Sequence, residues 1–128
     1  MYVNYNVNPK KKKTGDCVVR AVAVATGLGW DESFKLLTEA AFRLKTVPDE
    51  TEAVHDVLMR LGFKEGKIRV PKGSKRPTVA QFAQMHPDWY AVLRVSHHLV
   101  ATGRGNYVDI WDSGRCSVYK YWYKEINS

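Results

Sequence analysis

The sequence predicts an α+β domain, and three observations lead to that expectation. Up to about residue 86 the chain repeats apolar residues at helical spacing, with helix-start and helix-stop residues around each run. From Trp89 onward it turns to β-branched and aromatic runs separated by Gly, Asn and Ser. Its 128 residues match one domain, long enough to bury a core without metals or disulfides.

Each element follows in order. Residues 1–13, rich in Asn, with Pro9 and then Lys10, Lys11, Lys12 and Lys13, read as a basic N-terminal arm ahead of a single domain over 14–128. Thr14-Gly15-Asp16 is a helix-start signal in which Thr14 or Asp16 can cap the first turn. The stretch from Cys17 to Ala25 is apolar on every face except at Arg20 and ends at Thr26-Gly27. That pattern marks a buried helix, although a buried strand also fits its length. Trp30-Asp31 opens a second helix with Phe34, Leu37, Ala41 and Leu44 on its apolar side. Pro48-Asp49 starts a third, with Val54, Val57, Leu58 and Leu61 at helical spacing and Gly62 as its stop. Residues 63–77 form a basic loop with a short strand near Lys67–Val70. Thr78 and Gln81 then have the spacing of a capping box. Trp89–Val95, His98–Thr102, Tyr107–Trp111 and Ser117–Tyr123 complete the chain as an antiparallel meander.

The formal charge is +7. Lys10–Lys13, together with Lys64, Lys67, Arg69, Lys72, Lys75 and Arg76 against Glu65, account for more than all of it. These two segments read either as solvated loops or as a polyanion contact through Lys10–Lys13, Lys72, Lys75 and Arg76. No apolar run approaches a membrane span, and Met1–Lys13 has no apolar core of the export type, so a cytoplasmic protein is expected. There both cysteines, Cys17 and Cys116, should be reduced.

Three places could carry chemistry. Cys17 stands at the first turn of the buried helix, where unpaired N–H groups and the helix dipole favour a thiolate; a buried inert cysteine is the plain alternative. His97 and His98 are adjacent on an expected strand, so they point to opposite faces and only one can serve a site. A turn near Arg104-Gly105 sets His98 opposite Trp111 or Asp112, with Asp109 further along near Val100 or Ala101. Asp112 is therefore the first choice to orient His98 and Asp109 the reserve, unless Asp112 merely caps the turn at Ser113-Gly114. No H-x-x-x-H or C-x-x-C spacing points to a metal, and no cofactor is implied. Thiolate, imidazole and carboxylate together fit nucleophilic acyl transfer.

Gly15-Asp16-Cys17 entering an apolar helix, then His98-Leu-Val-Ala, then Trp111-Asp112, resembles the papain-like cysteine peptidase superfamily, and most of all its small peptidases and small phage proteins of similar length. The resemblance implies a nucleophile helix buried against a C-terminal antiparallel sheet. It makes Cys17 the nucleophile, His98 the general base and Asp112 the orienting residue. The family usually places Gln or Asn a few residues before the cysteine to bind the oxyanion. Here Lys11–Asp16 holds neither, leaving Asn8 or Asn6, if the arm folds back, or Asp16 to serve beside the Cys17 N–H. The expected activity is that of a cysteine hydrolase or acyl-transfer enzyme on a peptide or amide bond (peptidase, isopeptidase or deamidase), of a bacterial host's cytoplasm if phage-encoded. The alternative is a weak or inactive relative that binds a host protein or nucleic acid. A nucleic-acid reading also draws on Trp89, Tyr90, Tyr107, Trp111, Tyr119, Tyr121, Trp122 and Tyr123, which could stack bases or simply form the core and rim of the sheet.

Overall fold

In the computed structural model, which describes residues 1–126, the helices come first and the longer strands last. The elements are β1 (Tyr2–Asn4), α1 (Cys17–Thr26), α2 (Trp30–Leu44), α3 (Thr51–Arg60), β2 (Lys64–Lys67), α4 (Val79–Met85), β3 (Trp89–Val95), β4 (His98–Gly103), β5 (Asn106–Asp109) and β6 (Lys120–Glu125). The strands form one sheet in the order β1-β5-β4-β3-β6-β2. β1 pairs parallel to β5 and the other neighbours are antiparallel, so the sheet is mixed and not the expected pure meander.

Alternation along the strands divides the core in two. On one side Val92, Leu99, Ala101 and Trp122 meet Val22 of α1, Leu37 of α2, and Val54 and Leu58 of α3. On the other, Ala91, Leu93, Val95 and Val100 meet Val79, Phe82 and Ala83 of α4. α1 lies against β4 and is buried along nearly its whole length, as an all-round apolar helix must be. α4 begins as its sequence predicts: the Thr78 hydroxyl accepts from the Gln81 N–H, and the Gln81 side chain accepts from the Thr78 N–H.

Two edge features depart from expectation. The segment expected as an arm is tied to the sheet: Tyr2–Asn4 supplies an edge strand, and Asn8 is buried. Three residues of strand carry too little pattern to be read from sequence. The strand expected near Lys67–Val70 lies instead at Lys64–Lys67, where Gly66 faces Tyr121 so closely that any side chain would meet its ring. The last strand likewise begins at Lys120 and not at Ser117.

Candidate active site

Cys17 is the first residue of α1, so its N–H and those of the next two residues have no partner within the helix. Asp16 occupies the cap position, but its side chain does not cap. Its carboxylate turns inward and accepts from Arg20, from Trp30 Nε1 at 2.9 Å and from Asn8 Nδ2 at 3.1 Å. The helix start is thus fixed from the side, leaving its N–H groups facing outward beside the thiol.

His98 opens β4 directly after the Ser96-His97 turn, which the Val95–His98 pair closes. His97 takes a left-handed conformation there, with φ of 55°. Because His97 belongs to the turn and not to the strand, it lines the same cleft as His98, contrary to the expected opposite-face arrangement. Cys17, His98 and Leu99 line one cleft, where the His98 ring and the Leu99 backbone both act on the thiol's ionisation.

The acid on His98 is Asp109 and not Asp112: His98 Nε2 and Asp109 Oδ2 are 2.6 Å apart. The reason is where β5 ends. The β4–β5 ladder pairs Ala101 with Val108 and Thr102 with Tyr107, and Asp109 is the last residue of β5. Asp112 sits in the turn beyond, accepting from Tyr107 Oη at 2.6 Å and the Gly114 N–H at 3.0 Å. Those two bonds hold the Asp112 carboxyl below its ordinary range, and Tyr107 is pushed up to about 12 by the same contact with burial added. The turn-capping alternative describes Asp112.

Asp109 is buried and well supplied with donors. Ser113 Oγ reaches Oδ2 at 2.9 Å, the Ile110 N–H reaches Oδ1 at 2.8 Å, and the Arg20 guanidinium stands 3.8 Å from Oδ1. Arg20 therefore bridges Asp16, ahead of the nucleophile, to Asp109, behind the base. Trp111 lies over the imidazole, ring centres 4.9 Å apart. Sequence reasoning missed Ser113 and the part played by Arg20. Arg20 did carry a signal, as the one charge on an otherwise apolar buried helix.

The two groups shift each other. Burial pushes the Cys17 thiol up, but the His98 bond, the Leu99 backbone and the charges of His98 and Arg20 outweigh it and leave the thiol below its ordinary value. Burial likewise works against a charged His98, yet the bonds to Asp109 and Cys17 and their negative charges hold it at about 9. Both shifts favour a thiolate–imidazolium pair at neutral pH. With Nε2 on Asp109, Nδ1 is the nitrogen left to face sulfur.

A cleft of about 340 Å³ opens beside the thiol, between Gly15 and Val18 on one side, Asp49 and Thr51 ahead of and within α3, and Arg94 and His97 across the β3–β4 hairpin. That is at the small end of the usual range for ligand sites, ~300–1,000 Å³. None of the expected oxyanion side chains serves. Asn6 and Asn8 do not line the cleft, the Asn8 amide holding Asp16 and the Lys10 N–H. Asp16 is a carboxylate, which cannot donate, and its oxygens are taken. Among the described residues no group of three or more His, Cys, Asp or Glu could hold a metal ion. No described helix is long and apolar enough to cross a membrane.

The two basic segments leave the sheet from opposite edges, one after β1 and the other after β2. Of the aromatic residues, Trp122 and Tyr107 are buried, and Trp89 is stacked between His86 and Tyr123 at 3.8 and 3.9 Å. Both faces of Trp89 are thus already covered by protein.

Comparison with known proteins gives no match: no family model fits the chain, and neither a curated protein nor a solved structure matches it.

Proposed function

We propose that this protein is a cysteine-dependent hydrolase or acyl-transfer enzyme of papain-like type, acting on a peptide or amide bond. The observation that supports this reading is the contact of His98 with Asp109, the acid 2.6 Å from Nε2, in the cleft that Cys17 lines at the start of α1. In the proposed cycle the Cys17 thiolate attacks the acyl carbon, and developing oxyanion charge meets the N–H groups of the first turn of α1. The imidazolium gives its Nδ1 proton to the leaving amine, leaving an acyl-thioester. His98, now neutral, takes a proton from water or another acceptor as that nucleophile attacks the thioester. Asp109 fixes the ring's orientation and stabilises its charged form, while Trp111 packs against the same ring.

Weak turnover is favoured by one observation. Asn8, the nearest upstream amide, is engaged with Asp16 and lies off the cleft, so among the described residues no side-chain amide lines the cleft to help bind the oxyanion. One missing donor costs about 10²–10³ in rate. A chain of this kind could also serve as a binding protein for a host factor.

p-Nitrophenyl acetate tests the reading without a known substrate. The expected result is a burst of nitrophenolate with an acetyl group on the Cys17 peptide, lost in Cys17→Ala and strongly slowed in His98→Ala. Acetylation of Cys17 no faster than that of Cys116 would leave the binding reading.

A further inference from the structure

Arginine side chains in this fold mostly have structural work. Arg20 pairs with Asp16, Arg43 and Arg60 pair with Asp56, and Arg76 donates to the Ile68 carbonyl. Arg94 differs in its place. Among the described residues no hydrogen bond or ion pair engages its guanidinium or those of Arg69 and Arg115, and of these three Arg94 alone lines the cleft beside Cys17, where it is exposed. It is also close to the chemistry: Arg94 pairs with Leu99 across the β3–β4 ladder, and Leu99 and Cys17 line the same cleft. The Arg94 backbone is thus one strand spacing, ~4.8 Å, from a residue that shares the cleft with the nucleophile.

We infer that Arg94 is a specificity-determining residue, and that the Cys17 cleft takes acyl substrates carrying a carboxylate beside the bond attacked. The inference rests on the proposal that Cys17 is a nucleophile. A guanidinium presents a planar fork that matches a carboxylate through two parallel N–H bonds. Asp49, on the α3 side of the cleft, sets a negative charge against Arg94 on the β3 side. The carboxylate then lies toward β3 and the amide N–H or cationic end of the substrate toward α3. The reverse orientation would put like charge on like charge at both walls.

A pair of small alkylating reagents tests this. Iodoacetate and iodoacetamide react identically: the thiolate sulfur bonds to the methylene carbon and iodide leaves. They differ only in that one carries a carboxylate. The ratio of their rates on Cys17, read by peptide mass, cancels any change in the fraction of thiolate. Arg94→Gln is expected to lower the iodoacetate-to-iodoacetamide ratio about three- to tenfold at low salt, the size of one charge contact near a surface. Arg94→Lys should keep most of it, and molar salt should bring the wild-type ratio toward that of the Gln variant. An equal ratio in wild type and Arg94→Gln would overturn the inference. Failure of the nucleophile proposal reads out separately, as iodoacetamide finding Cys17 no more reactive near pH 6 than Cys116. A ratio that still fell in Arg94→Gln would then support anion capture by the cleft without catalysis.

Discussion

The contact between Asp109 and His98 sets the charge state of the whole site, and replacing Asp109 by Asn measures it. The substitution keeps the shape and one oxygen, so the Ile110 N–H or Ser113 hydroxyl retains an acceptor, and Arg20 retains Asp16. What it removes is the negative charge 2.6 Å from Nε2. A hydrogen bond to a charged group contributes about 1.5–3 kcal/mol, and about 1.4 kcal/mol corresponds to one pH unit. His98, held at about 9 in the native protein, should therefore titrate about one to two pH units lower in Asp109→Asn. The Cys17 thiol loses part of its imidazolium partner and should rise. NMR titration of the His98 ring carbons follows the first change and thiolate absorbance the second. Asp112→Asn is the matched control, because it disturbs Tyr107 and leaves His98 with its acid. The reasoning is refuted if Asp109→Asn leaves His98 unmoved, or if Asp112→Asn is the variant that shifts it.

Other expectations follow from the same contacts. Any Cys17-dependent activity should follow a bell-shaped pH profile: the acid limb rises as the thiol ionises, below the ordinary cysteine value, and the alkaline limb falls near pH 9 as His98 loses its proton. A single rise above pH 8.5 with no alkaline fall would contradict that order of ionisation. Arg20→Gln leaves the buried carboxylates of Asp16 and Asp109 without their shared cation, a change of about 3–5 kcal/mol, and thermal melting should show Tm lowered by more than about 10 °C. Thr78→Ala removes the capping box of α4 and should cost about 0.5–2 kcal/mol in urea unfolding, with the Cys17 alkylation rate unchanged.

Much of this arrangement is legible in the sequence because it depends on local patterns. The all-apolar stretch after Cys17 and the turn before His98 place each residue at the end of its element, where a side chain can reach a cleft. The hairpin turn was legible too, but the length of the strand after it was not, and that length separates Asp109, on the strand, from Asp112, in the turn beyond. The strand's early end at Asp109 was hidden because Ile110 and Trp111 continue the apolar run. Asn8 could be named as an amide upstream of Cys17. Its commitment to Asp16, however, depends on a loop path that β1 pairing fixes, and a three-residue strand leaves almost no sequence signal. Arg20 was visible as an anomaly, and its role emerged only when α1, β5 and the loop before α1 came together around it.

The most direct measurement of the central claim is alkylation of native protein with iodoacetamide from about pH 5 to about pH 9. Cys17 and Cys116 are read separately by peptide mass, with His98→Ala alongside. A thiolate–imidazolium pair predicts that Cys17 reacts well below the ordinary thiol value of about 8.5, and that His98→Ala abolishes this, since the bond and charge of His98 no longer work against burial. A Cys17 profile that matches Cys116, or that survives the loss of His98 unchanged, would contradict it.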